Sequence, residues 1–219
     1  MTLTEILSIS LLVLQFITVM LGWRVREKVA KDWQPMLLFF GISFIIGLSG
    51  SFLYSGPGIH GIKSELLQSL AAALLILRQA RIWKVFEGRL YLNFILLCLI
   101  IALFIIEVIF PELLAVRSSV FMVFSSFTIT LLAIEMMNRN LPQSRVPFWR
   151  NPVFLFCAGL IFQYTLLGLI ELFAGTLRDS IPAVLTKTYY FYAGISILVQ
   201  LLYIRSVLCI PAKDKYYSY

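Results

Sequence analysis

Seven stretches of this chain, near residues 5–23, 36–54, 62–82, 90–110, 117–137, 152–174 and 182–208, are each at least nineteen residues long and mostly apolar. A hydrocarbon core of about 30 Å takes roughly 20 such residues to cross as an α-helix. Inside it every backbone N–H and C=O must be satisfied by the chain itself, so helices are the expectation for all seven segments. The 219-residue sequence is 60% hydrophobic and 13% charged, whereas soluble domains run about 45–50% apolar and about 25% charged. A water-soluble globular fold is excluded. Seven spans leave only short connections, with no room for a separate soluble domain, so function must lie in the bilayer, in short loops or in a partner. The expected fold is an all-α membrane protein, a single seven-transmembrane helix bundle over residues 1–219, with 209–219 as a cytoplasmic tail.

Punctuation agrees with these boundaries. Pro35, Pro152 and Pro182 stand at helix starts, where a missing N–H costs nothing, and Asn151 is placed to cap the helix that follows it. Ser55-Gly56-Pro57-Gly58 marks a turn, while Pro111 and Pro211 close the fourth and seventh helices. The third segment is the most polar. Lys63, Glu65, Gln68, Arg78 and Arg81 crowd the ends of its apolar stretch, Leu70 to Leu77, so it is expected inside the bundle with its arginines snorkelling to the interface. The N-terminus has neither a basic leader nor a small-residue cleavage site, and the first segment is read as a retained helix.

A net charge of +7 would suggest nucleic acid in a soluble protein, but in a membrane protein the side on which the charges fall comes first. Fourteen of the eighteen lysines and arginines follow helices one, three, five and seven, leaving Lys63, Arg117, Arg178 and Lys187 on the other side. Basic short loops stay in the cytoplasm, which places the N-terminus outside and the C-terminus inside. No nucleic-acid partner is expected. Trp23, Trp33, Trp83 and Trp149 lie at the basic helix ends, where an indole rests at headgroup level, and read as anchors. Cys98, Cys157 and Cys209 read as small packing residues.

Candidate functional residues come from helical stripes. On helix seven Thr186, Tyr189, Tyr192, Ala193, Ser196, Gln200 and Tyr203 share one arc, a polar and aromatic face along the helix. Lipid offers such a face no hydrogen bonds, so it should point inward, either lining a cavity or bonding to neighbouring helices. Matching faces carry Cys157, Leu160, Tyr164, Gly168, Glu171 and Gly175 on helix six, Thr4, Ser8, Gln15, Thr18 and Gly22 on helix one, and Glu65, Gln68, Ala72 and Gln79 on helix three. Ser43, Gly47 and Ser51 recur at four-residue spacing on helix two, as in close helix packing.

A carboxylate in hydrocarbon is expensive. Glu171, on the stripe with Tyr164, is the first candidate for a ligand contact, a proton site or a counter-ion. Glu107 lies near the outer interface, where water can reach it, and Glu135 sits one turn before Arg139, a natural partner. The ligand or cavity candidates are Gln15, Gln68, Gln163, Tyr164, Glu171, Tyr189, Tyr192, Ser196, Gln200 and Tyr203.

Several chemistries find no support in the residues. The single histidine, His60, sits in an outer turn, too shallow for a haem ligand. No zinc spacing, HExxH, GxSxG or phosphate-cradling glycine loop is present. Lys187 lies too near the helix end for a retinal-type Schiff base. The expectation is a protein that is not an enzyme and that carries neither cofactor nor metal.

At helix six the run Asn151-Pro152-Val153-Phe154, followed by Gly159-Leu160 and Tyr164, resembles small seven-helix membrane proteins of Bacteroidetes-type bacteria, often encoded near sensor histidine kinases. Gln163 stands where that pattern has a tyrosine. Leu155, Phe156 and Cys157 replace its tryptophan and asparagine. The resemblance implies a sensor or signalling accessory. The expected function is thus a seven-helix sensor or signal relay that reads a ligand or membrane state and biases a cytoplasmic signalling protein such as a histidine kinase. Helix seven and the tail Lys213-Asp214-Lys215-Tyr216-Tyr217-Ser218-Tyr219 would convey the change. The alternatives are a small-molecule transporter or channel subunit, and a structural subunit of a larger membrane complex. The lipid bilayer is the first partner, and a second copy of the chain is another candidate.

Overall fold

The computed structural model describes residues 3–53, 64–110, 119–142, 146–178 and 182–211. It is all-helical, with no strand among the described residues: α1 Leu3–Val25, α2 Gln34–Leu53, α3 Ser64–Ile82, α4 Leu90–Ile109, α5 Val120–Asn140, α6 Pro152–Arg178 and α7 Pro182–Cys209. Short 3-10 turns at Arg26–Lys28 and Lys31–Trp33 join α1 to α2, and another at Phe148–Arg150 precedes α6. Six of the seven long helices are apolar enough to cross a membrane, which makes the chain a multi-pass membrane protein. The exception is α3, the segment whose sequence is most polar.

The arrangement explains why α3 differs. Each helix packs on its sequence neighbours, and α1 also packs on α7, so α1, α2, α3, α5, α6 and α7 close into a ring. The fourth helix is left outside, in the groove between α3 and α5. Ile100 is its one buried residue, and much of its surface, including Leu90, Phe94, Ile95, Leu99, Ile105 and Ile109, is exposed apolar side chain. By contrast α3 is held between α2, α4 and α5 and buries Ser69, Ala72, Ala73, Ile76, Leu77, Gln79 and Ala80. Its small side chains let backbones approach, and a helix covered by protein needs little apolar surface for lipid. Arg78 and Arg81 remain exposed at its end.

Helix ends are satisfied locally and across the bundle. Asn151 Oδ1 accepts from Val153 N at 3.0 Å and Phe154 N at 3.2 Å, capping α6 as its position before Pro152 suggests. Replacing it with alanine should cost about 1 kcal/mol, read as a lower unfolding temperature in detergent; no change would mean that water caps α6 equally well. At the start of α5, Ser119 Oγ accepts from Met122 N at 3.0 Å and Glu107 Oε2 from Phe121 N at 2.9 Å. Glu107 is therefore not merely hydrated. It caps a neighbouring helix with a charge suited to the positive end of the helix dipole.

Glu135 pairs with Arg139 at 2.7 Å, and Arg139 also donates to the Lys84 carbonyl at 3.1 Å. Lys84 holds φ at 57°, in the left-handed region, where Val85 N bonds back to Ala80 O and ends α3 as a glycine ordinarily would.

The tryptophans divide. Trp23 and Trp149 are 70% and 67% exposed, as anchors should be, but Trp33 is 2% exposed. Its ring meets Trp83 edge-on at 5.3 Å, because the 3-10 turn before α2 folds back under the bundle and carries the indole into the core. Trp33 is therefore a core residue and not a headgroup anchor, while Trp83 is partly buried against it. Cys157 is fully buried, Cys209 partly buried and Cys98 exposed, and all three are free thiols.

Candidate functional site

The inward faces of the ring place glutamines from four helices around one narrow cleft. Gln15 and Thr18 come from α1, Ser43 from α2, Gln68 from α3, Gln163 from α6, and Gln200 and Tyr203 from α7. Helices α1, α2, α6 and α7 deliver their residues because the rest of their surfaces is largely apolar, and α3 because it is held between α2, α4 and α5. Turning any of these helices outward would expose an amide to hydrocarbon and bury aliphatic carbon against amides.

The Tyr203 hydroxyl donates to Gln163 Oε1 at 2.9 Å, tying α7 to α6, and Thr18 Oγ1 donates to the Leu14 carbonyl at 2.8 Å. Among the described residues the amides of Gln15, Gln68 and Gln200 have no protein hydrogen bond. Gln200 is buried, while Gln15 and Gln68 are half-buried, and amides so placed ordinarily find protein or water partners. The cavity measures about 10 Å³, room for about one water molecule. In this packing the glutamine-lined interior is a polar seam with room for about one water.

An aromatic cluster forms one wall of the cleft. Phe39 and Phe40 of α2 reach across the ring to Phe156 of α6 and Tyr203 of α7, with centroids 5.0 to 6.1 Å apart. Trp83 packs on Phe156 at 6.4 Å and on Trp33 at 5.3 Å. These rings lie toward the end of the bundle that carries most of the basic residues.

Toward the opposite end the polar face continues. Tyr192 shares a hydrogen bond with Ser196 and lies within electrostatic range of Glu65 and Glu171. Tyr164, 2% exposed, stands between Tyr192 and Tyr203, close enough for its phenol to interact with both. Glu171 is half-buried.

Of the ten sequence candidates, Gln15, Gln68, Gln163, Gln200 and Tyr203 line the cleft itself. Tyr164, Glu171, Tyr192 and Ser196 form its continuation. The side chain of Tyr189 lies outside the described residues, as do those of Thr186, Lys187 and Ser51, together with His60 and the tail 213–219.

Sequence reasoning set Thr18 and Ser43 on polar or small-residue faces without naming them as site residues, and it missed Phe39 and Phe40 altogether. Two phenylalanines in an apolar run look the same whether they face lipid or the ring. Gln79, placed on the polar stripe of α3, proves structural. Fully buried, it accepts from Met36 N at 3.2 Å and donates to the Asp32 carbonyl at 2.9 Å, pinning the start of α2 to the end of α3.

Comparison with protein-family models, curated proteins and solved structures yields no match.

Proposed function

We propose that this protein is a seven-helix sensor or signal relay, in which a small hydrogen-bonding solute enters the glutamine-lined cleft and shifts α7 relative to α6. The observation that carries this reading is the set of three amides, Gln15, Gln68 and Gln200, that meet at one cleft with no protein partner among the described residues. Interhelical glue would have its amides bonded to one another.

A cleft of about 10 Å³ accepts only a water-sized occupant. A larger solute therefore favours a second, more open packing, and its differential affinity for the two packings supplies the signal. Opening would first break the bond between Tyr203 and Gln163. The end of α7 is coupled to the start of α6 through Ser206 Oγ, which donates to the Pro152 carbonyl at 2.8 Å. A shift of α7 would thus reach the basic end of the bundle and the residues beyond 211.

In this reading α3 is the seventh span, and the positive-inside distribution sets the N-terminus outside and the basic end in the cytoplasm of a bacterial cell. A histidine kinase is the partner that the helix-six resemblance suggests. The narrowness of the cleft, about 10 Å³, favours sensing over conduction.

The test uses the purified full chain and a panel of radiolabelled amino acids, sugars and nucleosides, measured in two ways. Sensing predicts a solute that raises the unfolding temperature of the wild type but not of Gln200→Ala, without uptake into proteoliposomes. Uptake that falls in Gln200→Ala or Glu171→Gln would replace the sensor by a transporter. No response in either assay across the panel would reduce the seam to interhelical packing.

A further inference from the structure

A second cleft, sharing no residue with the polar interior, opens where α1 turns into α2. It measures about 350 Å³ and is lined by Trp23, Arg26, Glu27, Val29, Lys31 and Gln34. The Arg26 guanidinium is held over the Trp23 ring, 5.3 Å from its centroid. Among the described residues neither Arg26 nor Lys31 is paired with a carboxylate, although Glu27 opens onto the same space. Two cations and one carboxylate share this concavity with no ion pair between them, which leaves both cations available to an anion, and a guanidinium suits the oxygens of a phosphate.

The surroundings say what carries that phosphate. Ile9, Val13, Phe16, Met20 and Trp23 alternate at four- and three-residue spacing along α1, and all are 49% to 70% exposed. They make one continuous apolar stripe that runs up the helix and ends at the cleft. An acyl chain lies along such a stripe, while the indole at its end marks headgroup level. Glu27 adds a requirement, because a carboxylate beside the phosphate site repels further negative charge and accepts from a headgroup N–H or O–H. Trimethylated choline has no such donor.

We infer that this cleft binds a glycerophospholipid whose headgroup carries a hydrogen-bond donor beyond its phosphate, phosphatidylethanolamine being the simplest. The phosphate sits between Arg26 and Lys31, the ammonium against Glu27, and one acyl chain along α1.

The test is native mass spectrometry of the delipidated full chain in neutral detergent, titrated separately with short-chain phosphatidylethanolamine, short-chain phosphatidylcholine and inorganic phosphate. Phosphatidylethanolamine should bind about tenfold more tightly than phosphatidylcholine. The double substitution Arg26→Gln and Lys31→Gln should weaken it by at least about tenfold while the unfolding temperature of the lipid-free protein stays unchanged. Glu27→Ala, which removes the acceptor, should erase the preference over phosphatidylcholine. Equal binding of the two lipids, or binding indifferent to the loss of both cations, would overturn the proposal. So would inorganic phosphate binding as tightly as the lipid, because the site would then recognise a free anion.

Discussion

Gly159→Val should unfold the bundle at a markedly lower temperature than wild type, losing about 3 kcal/mol. Even a methyl at Gly159 would stand 2.5 Å from Tyr203 Cε1 and 3.0 Å from Cδ1, closer than real carbons approach. A flexible chain end could step aside, but Tyr203 cannot. It is 1% exposed, and its ring is packed on Phe40 at 5.0 Å, Phe156 at 5.9 Å and Phe39 at 6.1 Å. Any retreat is passed to three other rings and to the bond with Gln163, so α7 must move away from α6.

Gly159→Ala makes a sharper test because alanine favours the helix by about 1 kcal/mol over glycine. Overpacking of about 1–3 kcal/mol should nonetheless leave a net loss. Adding Tyr203→Leu to Gly159→Ala removes the struck ring, so the pair should cost less than the sum of the single substitutions. Thermal unfolding in detergent reads all four variants. Wild-type stability of Gly159→Val would mean that α6 and α7 do not approach as described.

Gln79→Leu should be comparably damaging for a different reason. The side chain has no exposure and serves two backbone groups at once, the Met36 N–H and the Asp32 carbonyl. Leucine fills nearly the same volume but leaves both groups without a partner, at about 1–3 kcal/mol each. Gln79→Glu keeps the acceptor for Met36 but loses the donor and sets a carboxylate beside the Asp32 carbonyl, so it should not rescue. The expected signature beyond lower stability is local. Trypsin should cut at Lys28 and Lys31 well before global unfolding, because Gln79 ties the α1–α2 connection to α3. If Gln79→Leu is as stable and as protease-resistant as wild type, the bridge contributes nothing.

These two residues show where sequence reasoning reached and where it stopped. Gln79 was visible as a polar residue on the inner face of α3, since its spacing from Gln68 and Glu65 requires only helical periodicity. That it serves backbone and not a ligand depends on the 3-10 turn at Lys31–Trp33, which carries the Asp32 carbonyl beneath the end of α3. No periodicity encodes that fold-back. The same turn buried Trp33, whose place at a basic helix end otherwise fits an anchor.

Gly159 was noticed on helix six only as part of a pattern. Its role follows from Tyr203, distant in sequence, and from the handedness with which two helices cross. Phe39 and Phe40 were invisible for a related reason, since apolar side chains face lipid and protein with equal ease.

Lipid as solvent explains the division. Helix number, approximate helix ends and the inward direction of Gln15, Gln68, Gln200 and Tyr203 follow from the sequence alone, because hydrocarbon imposes the same requirement on every segment: satisfy the backbone and hide the amides. Hydrocarbon is indifferent to which apolar faces meet. The exile of α4, the closure of α1 onto α7, the aromatic wall and the cleft of one water's size were therefore decided by shape and close packing between helices, which only the tertiary structure specifies.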